Sequence, residues 1–385
     1  KILSLITNKP LFGKITVPPD KSISHRALII GSLAIGDTII ENLLESDDIK
    51  STINALKLLG VNIKKVSKVE WVVQGVGTGG FIEPKNIIDF GNSGTSARLI
   101  LGAISTSPIS IFATGDESLI KRPMRRIIEP LSLFGCEFNY RDDGYLPLKL
   151  MGTNEPRPIE YVSNISSAQI KSSVLLGALN SPGISVYTEP FKSRDHTEKM
   201  LSDFGAKIES STTKNGNQVN ILGNADLKAQ KIIIPGDPSS AAFLIASAIL
   251  VEGSDVLIEN VLKNSTRNGF LETLLEMNAK IKFEEERIIN GEKVVNLRVK
   301  YSKLTAVKVP KERVVSMIDE FPILFILASV AKGKTYMSGL DELKVKESDR
   351  INVMKKGLTD CGVNVEAEKD YVIIEGKDEN QIVGD

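Results

Sequence analysis

IIDFGNSGTSARLILGAIS, residues 87–105, runs from a β-type stretch through a glycine- and serine-rich corner into an apolar helix of small residues. The same order returns four more times. It reads ITVPPDKSISHRALIIGSLAIG at 15–36, IEYVSNISSAQIKSSVLLGALNSPG at 159–183, KIIIPGDPSSAAFLIASAILVEG at 231–253 and VKVPKERVVSMIDEFPILFILASVAKG at 307–333. The spacing, roughly 70–85 residues, is longer than that of solenoid repeats.

Between corners lies a strand, an irregular turn, an amphipathic helix and another strand, as in GDTIIENLLESDDIKSTINALKLLGVNI at 36–63. The later copies end SLFGCEF, SDFGAKI, LEMNAKI and TDCGVNV. Leu and Met at helical spacing in these segments predict core faces. Gly60, Gly135, Gly205 and Gly362 are expected at helix C-caps, with Asn278 in that place in the fourth copy. Each unit is therefore β-α-β-α-β-β, and the fold class is α/β (α+β). Five units are visible. If three make a domain, a sixth is expected to begin near Asp385, so the C-terminal part is expected to be missing.

The 385 residues suit two domains. Lys plus Arg equals Asp plus Glu, so no global field gathers polyanions, and no basic stripe points to nucleic acid. Cys136 and Cys361 read as buried small hydrophobes in a reducing, cytoplasmic setting. No stretch reaches the roughly 18 apolar residues of a membrane span, and no signal peptide opens the chain. The two histidines, His25 and His196, lie far apart and have no Cys or His at ligand spacing, so no metal is expected. His196 reads as a helix-start or surface residue. Neither a Walker A loop nor a dinucleotide fingerprint is present.

A strand-to-helix corner places unpaired N–H groups beside the positive end of the helix dipole, which suits anions. The first corner adds Asp20, Lys21, Ser22, Ser24, His25 and Arg26; the second has Gly91 and Gly94 around Asn92, Ser93 and Thr95. KRPMRR contributes Lys121, Arg122, Arg125 and Arg126, with Pro123 expected in a first helical turn and Arg122 at the helix entrance. Ser166, Ser167 and Gln169 follow at the third corner, then Asp319 and Glu320 before an apolar helix, then Lys344, Lys346, Glu347, Asp349 and Arg350. Taken alone, each group reads equally as a cap, a turn or a solvated salt-bridge pattern.

Together they resemble the EPSP synthase family, the 3-phosphoshikimate 1-carboxyvinyltransferases. The resemblance rests on DKSISHR (20–26), GNSGTSAR (91–98), GDESLIKRPM (115–124), SSAQIKSS (166–173), RDHTEKM (194–200), GDPSSAAF (236–243), SMIDEFP (316–322) and VKESDR (345–350), in order across the chain. SSAQ, RDHTEKM and VKESDR are similar to the bacterial class II branch. The resemblance implies a two-domain, inverse α/β barrel-like fold with pseudo-threefold symmetry. Residues 20–235 would form one domain of three units. Residues 1–19 plus 236–385 would form the other, with two units visible and the third missing. The family's sixth unit, with its Asp-His-Arg motif and later Lys, is not found here.

The implied reaction, a step of the shikimate pathway to aromatic amino acids, joins shikimate 3-phosphate and phosphoenolpyruvate without a cofactor. By match to the family motifs, Lys21, Ser22, Arg26, Ser167, Ala168, Gln169, Arg194, Asp319 and Lys346 would hold shikimate 3-phosphate. Lys21, Gly94, Arg122, Gln169 and Arg350 would hold phosphoenolpyruvate. Asp319, Glu347 and Lys21 would be catalytic. A monomer is expected, with no nucleic-acid or membrane partner. Gly94, where tolerant relatives can carry Ala, implies sensitivity to glyphosate. Two rivals are a substrate-binding pseudoenzyme lacking its end and the sister UDP-N-acetylglucosamine enolpyruvyl transferase. The latter uses Lys-Asn where this chain has Lys21-Ser22.

Overall fold

The computed structural model describes residues 9–344, 348–368, 370–377 and 382. Among the described residues, ten α-helices alternate between two kinds. The corner helices are α1 (Lys21–Leu33), α3 (Gly94–Ile104), α5 (Ala168–Ala178), α7 (Pro238–Leu250) and α9 (Phe321–Val330). The amphipathic helices are α2 (Asp47–Leu58), α4 (Arg125–Ser132), α6 (His196–Asp203), α8 (Gly269–Glu276) and α10 (Arg350–Asp360). Asp20, Ser93, Ser167 and Asp237 cap the first four corner helices through their side-chain oxygens. Gly60, Gly135, Gly205, Asn278 and Gly362 all have positive φ just past the amphipathic helices. After α2 the Gly60 and Val61 N–H groups donate to Lys57 O and Leu56 O, which closes the last turn as a Schellman motif.

Among the described residues, the strands form five four-stranded sheets, each with one parallel edge pair and two antiparallel pairings. Two compact units divide the chain: a continuous one, Pro19–Ile234, and a split one, Lys1–Pro18 with Pro235–Asp385. Three sheets belong to the former and two to the latter. Three of the five sheets are built within one repeat. The other two exchange their edge strands. Phe12–Thr16, which leads into α1, pairs with Asp255–Leu262, the strand after α7. Lys231–Ile233, which leads toward α7, pairs with Ile35–Glu41, the strand after α1. The chain passes between units at Pro18–Pro19 and Ile234–Pro235, where proline fixes φ and supplies no ladder donor.

Small residues in the corner helices let their backbones approach. In the continuous unit a Cβ on Gly102 of α3 would lie 2.4 Å from Ser173 O of α5, and Ser173 Oγ donates to Arg98 O at 2.7 Å. Helix α3 also packs on α1, and from Ile23 to Leu33 every residue of α1 is buried. In the split unit α7 packs on α9 around Ala241, Ile245, Phe321, Leu324 and Phe325. Phe243 on α7 remains 61% exposed, so this unit covers its corner helices less completely.

Candidate functional site

Two groups of polar side chains form where the corners of the continuous unit meet. The first surrounds Arg26, which is buried although charged. Its Nε donates to Thr197 Oγ1 at 2.7 Å, Nη2 to Ser172 Oγ at 2.9 Å and Nη1 to Ser22 O at 3.0 Å. Arg194 Nη1 reaches Ser22 Oγ at 3.4 Å. Helices α1, α5 and α6 therefore bring two guanidinium groups to the start of α1, a pairing suited to a phosphate dianion. Lys21 stands on the exposed side of this helix start, with Nζ 2.7 Å from Asp48 Oδ2.

The second group surrounds Gln169. Its Oε1 accepts from Arg98 Nη1 at 2.5 Å and its Nε2 donates to Thr95 Oγ1 at 2.9 Å. An ideal Cβ on Gly94 would meet Arg98 Nη1 at 2.9 Å and Arg122 Nη1 at 3.3 Å. Arg122 is held by Asn92 Oδ1 and by Ser118 Oγ at 3.3 Å. With no side chain at Gly94, two guanidinium groups approach the backbone of a helix N-terminus closely. A hydrogen-bond chain joins the first and second corners: His25 Nδ1 to Thr52 Oγ1 at 2.7 Å, Thr52 to Ser96 Oγ at 2.5 Å, and Ser96 to Ser93 Oγ at 2.6 Å. Burial first, then the neighbouring Lys21 and Arg26 charges, lower the His25 pKa to about 3, so the ring is neutral.

In the split unit Arg350 Nη1 lies 3.2 Å from Asp319 Oδ1. Next to Asp319, the buried Glu320 accepts from Ser239 Oγ. Arg267 donates to Ser239 Oγ at 2.8 Å and Asp237 Oδ1 at 3.2 Å. Lys346 and Glu347 lie outside the described residues.

One expectation needs correction. Pro123 precedes α4, which begins at Arg125, so Arg122 stands in the loop after the short 3₁₀ turn Leu119–Lys121 and not at a helix entrance. His196 starts α6, one of the two places the sequence allowed it, and is buried. Ser167 Oγ caps α5 by accepting from Ile170 N–H at 3.5 Å, the cap reading the sequence offered, and Ser166 Oγ accepts from Phe191 N–H.

The family model described as "EPSP synthase (3-phosphoshikimate 1-carboxyvinyltransferase)" matches residues 6–383. The chain belongs to the EPSP synthase family. It is 50% identical over 368 residues to the curated 3-phosphoshikimate 1-carboxyvinyltransferase of Paracoccus denitrificans strain Pd 1222, covering 96% of this chain and 83% of that one. The EPSP synthase structure from Acinetobacter baumannii superimposes with a TM-score of 0.85 at 41% identity, over 97% of this chain and 83% of the other. The enolpyruvyl transferase NikO from Streptomyces tendae gives a TM-score of 0.72 at 14% identity, over 96% and 83% respectively, a likeness of fold alone. The fold is that of the enolpyruvyl transferases.

Within this EPSP synthase framework, reading the sequence missed Arg98, Asp48, Ser172 and Thr197, which hold Gln169, Lys21 and Arg26 in place. Arg98 left one signal. It is the lone charged residue of α3 and therefore needs a partner when buried.

Proposed function

We infer that the chain transfers the enolpyruvyl group of phosphoenolpyruvate to the 5-hydroxyl of shikimate 3-phosphate, with release of phosphate. Family membership across nearly the whole chain supports this reading. The observation that carries it at the level of chemistry is the meeting of Arg26 and Arg194 at Ser22. In this reading Lys21, Ser22, Arg26 and Arg194 hold the sugar phosphate, with Ser167, Ala168 and Gln169 lining the junction of the two substrates. Gly94, Arg122 and Gln169 take phosphoenolpyruvate together with Arg350 and Lys21.

Addition requires the 5-hydroxyl oxygen to attack C2 of phosphoenolpyruvate while C3 gains a proton. Elimination then removes a proton from the new methyl group as the C2–O bond to phosphate breaks. We assign the hydroxyl proton to Asp319 and the methylene proton to Glu347, and count Lys346 among the residues for shikimate 3-phosphate. The guanidinium groups offset the charge of the leaving phosphate. No metal or redox cofactor enters this scheme. We read the protein as a monomeric cytoplasmic enzyme, consistent with its two free cysteines. No helix among the described residues is long and apolar enough to cross a membrane.

Phosphate release measured with both substrates tests the proposal. Release is expected only when both are present. Binding of shikimate 3-phosphate without turnover would instead favour a pseudoenzyme, and release driven by UDP-N-acetylglucosamine would favour the sister transferase.

A further inference from the structure

Lys171 lies in the middle of α5, and its side chain is completely buried. Its ammonium group has three acceptors: Glu189 Oε1 at 3.0 Å, Ser193 O at 3.1 Å and Glu198 Oε1 at 2.7 Å. All three lie on one segment, 189–198. Within that segment Glu189 also accepts from Ser193 N–H at 2.9 Å and from Ser193 Oγ at 2.7 Å. Among the described residues the Glu198 carboxylate has no hydrogen-bond partner beyond this ion pair.

Burial opposes the Lys171 charge, but Glu198 and Glu189 outweigh it and hold the ammonium above its ordinary pKa. One cation and two carboxylates away from water are a poor source of net stability, since desolvation offsets most of their attraction. Such a cluster does fix register, because a shifted segment would leave charges unpaired.

The register it fixes belongs to the residues assigned above to the sugar phosphate. Arg194 follows Ser193, and Thr197, the partner of Arg26 Nε, precedes Glu198. Ser172, the partner of Arg26 Nη2, follows Lys171 itself. We propose that Lys171, Glu189 and Glu198 form a buried tether that sets the spacing of Arg26 and Arg194, making Lys171 a positioning residue for the phosphate of the hydroxyl-bearing substrate. The inference rests on the phosphate assignment under Proposed function. It adds that affinity for that substrate depends on a group that never touches it. Phosphoenolpyruvate is assigned to the Gly94, Arg122 and Gln169 group, which the tether does not contact, so its binding should be largely spared.

The test is calorimetric titration of the full chain with each substrate. Lys171→Met with Glu198→Met removes the tether while leaving Glu189 its Ser193 partners. The expected result is cooperative unfolding, shikimate 3-phosphate affinity weakened about tenfold, and phosphoenolpyruvate affinity within about twofold. Unchanged shikimate 3-phosphate affinity, or equal loss for both ligands, would overturn the inference. If that variant does not fold, Glu198→Gln decides: about threefold weakening for shikimate 3-phosphate alone is expected, and no change overturns it. Arg26→Ala and Arg194→Ala separate the two layers. If these leave shikimate 3-phosphate binding intact, the phosphate assignment falls and the tether's role with it. If they abolish binding while the tether variants do not weaken it, only the tether falls.

Discussion

Arg350 Nη1 stands 3.2 Å from Asp319 Oδ1, a pair that joins the start of α10 to the turn before α9. The guanidinium gives the carboxylate a charge-assisted hydrogen bond, and a carboxylate is the form needed to accept a proton from a hydroxyl. Asp319→Asn keeps an oxygen acceptor for Arg350 but removes the base proposed above. Steady-state kinetics should show kcat reduced about 10²–10⁴-fold. KM for phosphoenolpyruvate should stay within about threefold. A variant with near-normal kcat would remove Asp319 from the proton transfer.

Gly94→Ala should act first on the protein's own arginines. The new methyl would stand 2.9 Å from Arg98 Nη1 and 3.3 Å from Arg122 Nη1, and these flexible ends must move by tenths of an ångström. The fold should survive with a loss below about 1 kcal/mol, since no backbone atom is in the way. KM for phosphoenolpyruvate should rise several-fold, and glyphosate, the more extended molecule, should lose more affinity. The chain with Gly94 should be inhibited in a glyphosate dose series. No inhibition at about millimolar concentration, high against typical substrate affinities, would refute this.

The βαβαββ grammar was legible because its signals are local. A corner glycine or serine, a run of small residues and a C-cap glycine each act within one turn of their own position. Asn278 could be read the same way, since Asn is the commonest substitute in the left-handed region. The exchange of Phe12–Thr16 with Lys231–Ile233 was not legible in the local pattern, and only the family resemblance placed residues 1–19 with 236–385. Both are short strands leading into similar corners, and local pattern cannot say which sheet takes which edge. Arg26 was legible as a candidate through its motif, but its partners Thr197 and Ser172 lie 171 and 146 residues away. The tether around Lys171 was hidden for the same reason, since Glu189 and Glu198 look like ordinary surface acids until strand and helix bury them.

Close packing of α3 on α5 predicts that Gly102→Ala is costly. Its Cβ would meet backbone atoms, Ser173 O at 2.4 Å and Ser173 Cα at 2.6 Å, which cannot swing aside as a side chain can. The two helices must separate, at a cost of about 1–3 kcal/mol, the usual range for overpacking. Because α3 carries Arg98 and α5 carries Gln169, the 2.5 Å contact between them should loosen too. Urea unfolding should show a lower midpoint at unchanged m-value. An alanine variant as stable as the parent would contradict the packing described.

His25 makes stability depend on pH in a known direction. Its folded pKa is lowered to about 3 from 6.5, by burial first and then by Lys21 and Arg26. Between those values the unfolded chain binds one more proton than the folded one. The contribution of His25 is therefore fully present above pH 6.5 and is lost as pH falls toward 3. The slope approaches about 1.4 kcal/mol per pH unit, or about 2 kcal/mol between pH 7 and pH 5. His25→Gln puts an uncharged amide in reach of Thr52 Oγ1, the partner of His25 Nδ1 at 2.7 Å. Urea unfolding at pH 5, 6 and 7 should show the parent losing stability more steeply than this variant, by about one proton. Parallel slopes for the two proteins would mean that His25 is protonated in the folded state, against the neutral ring described above.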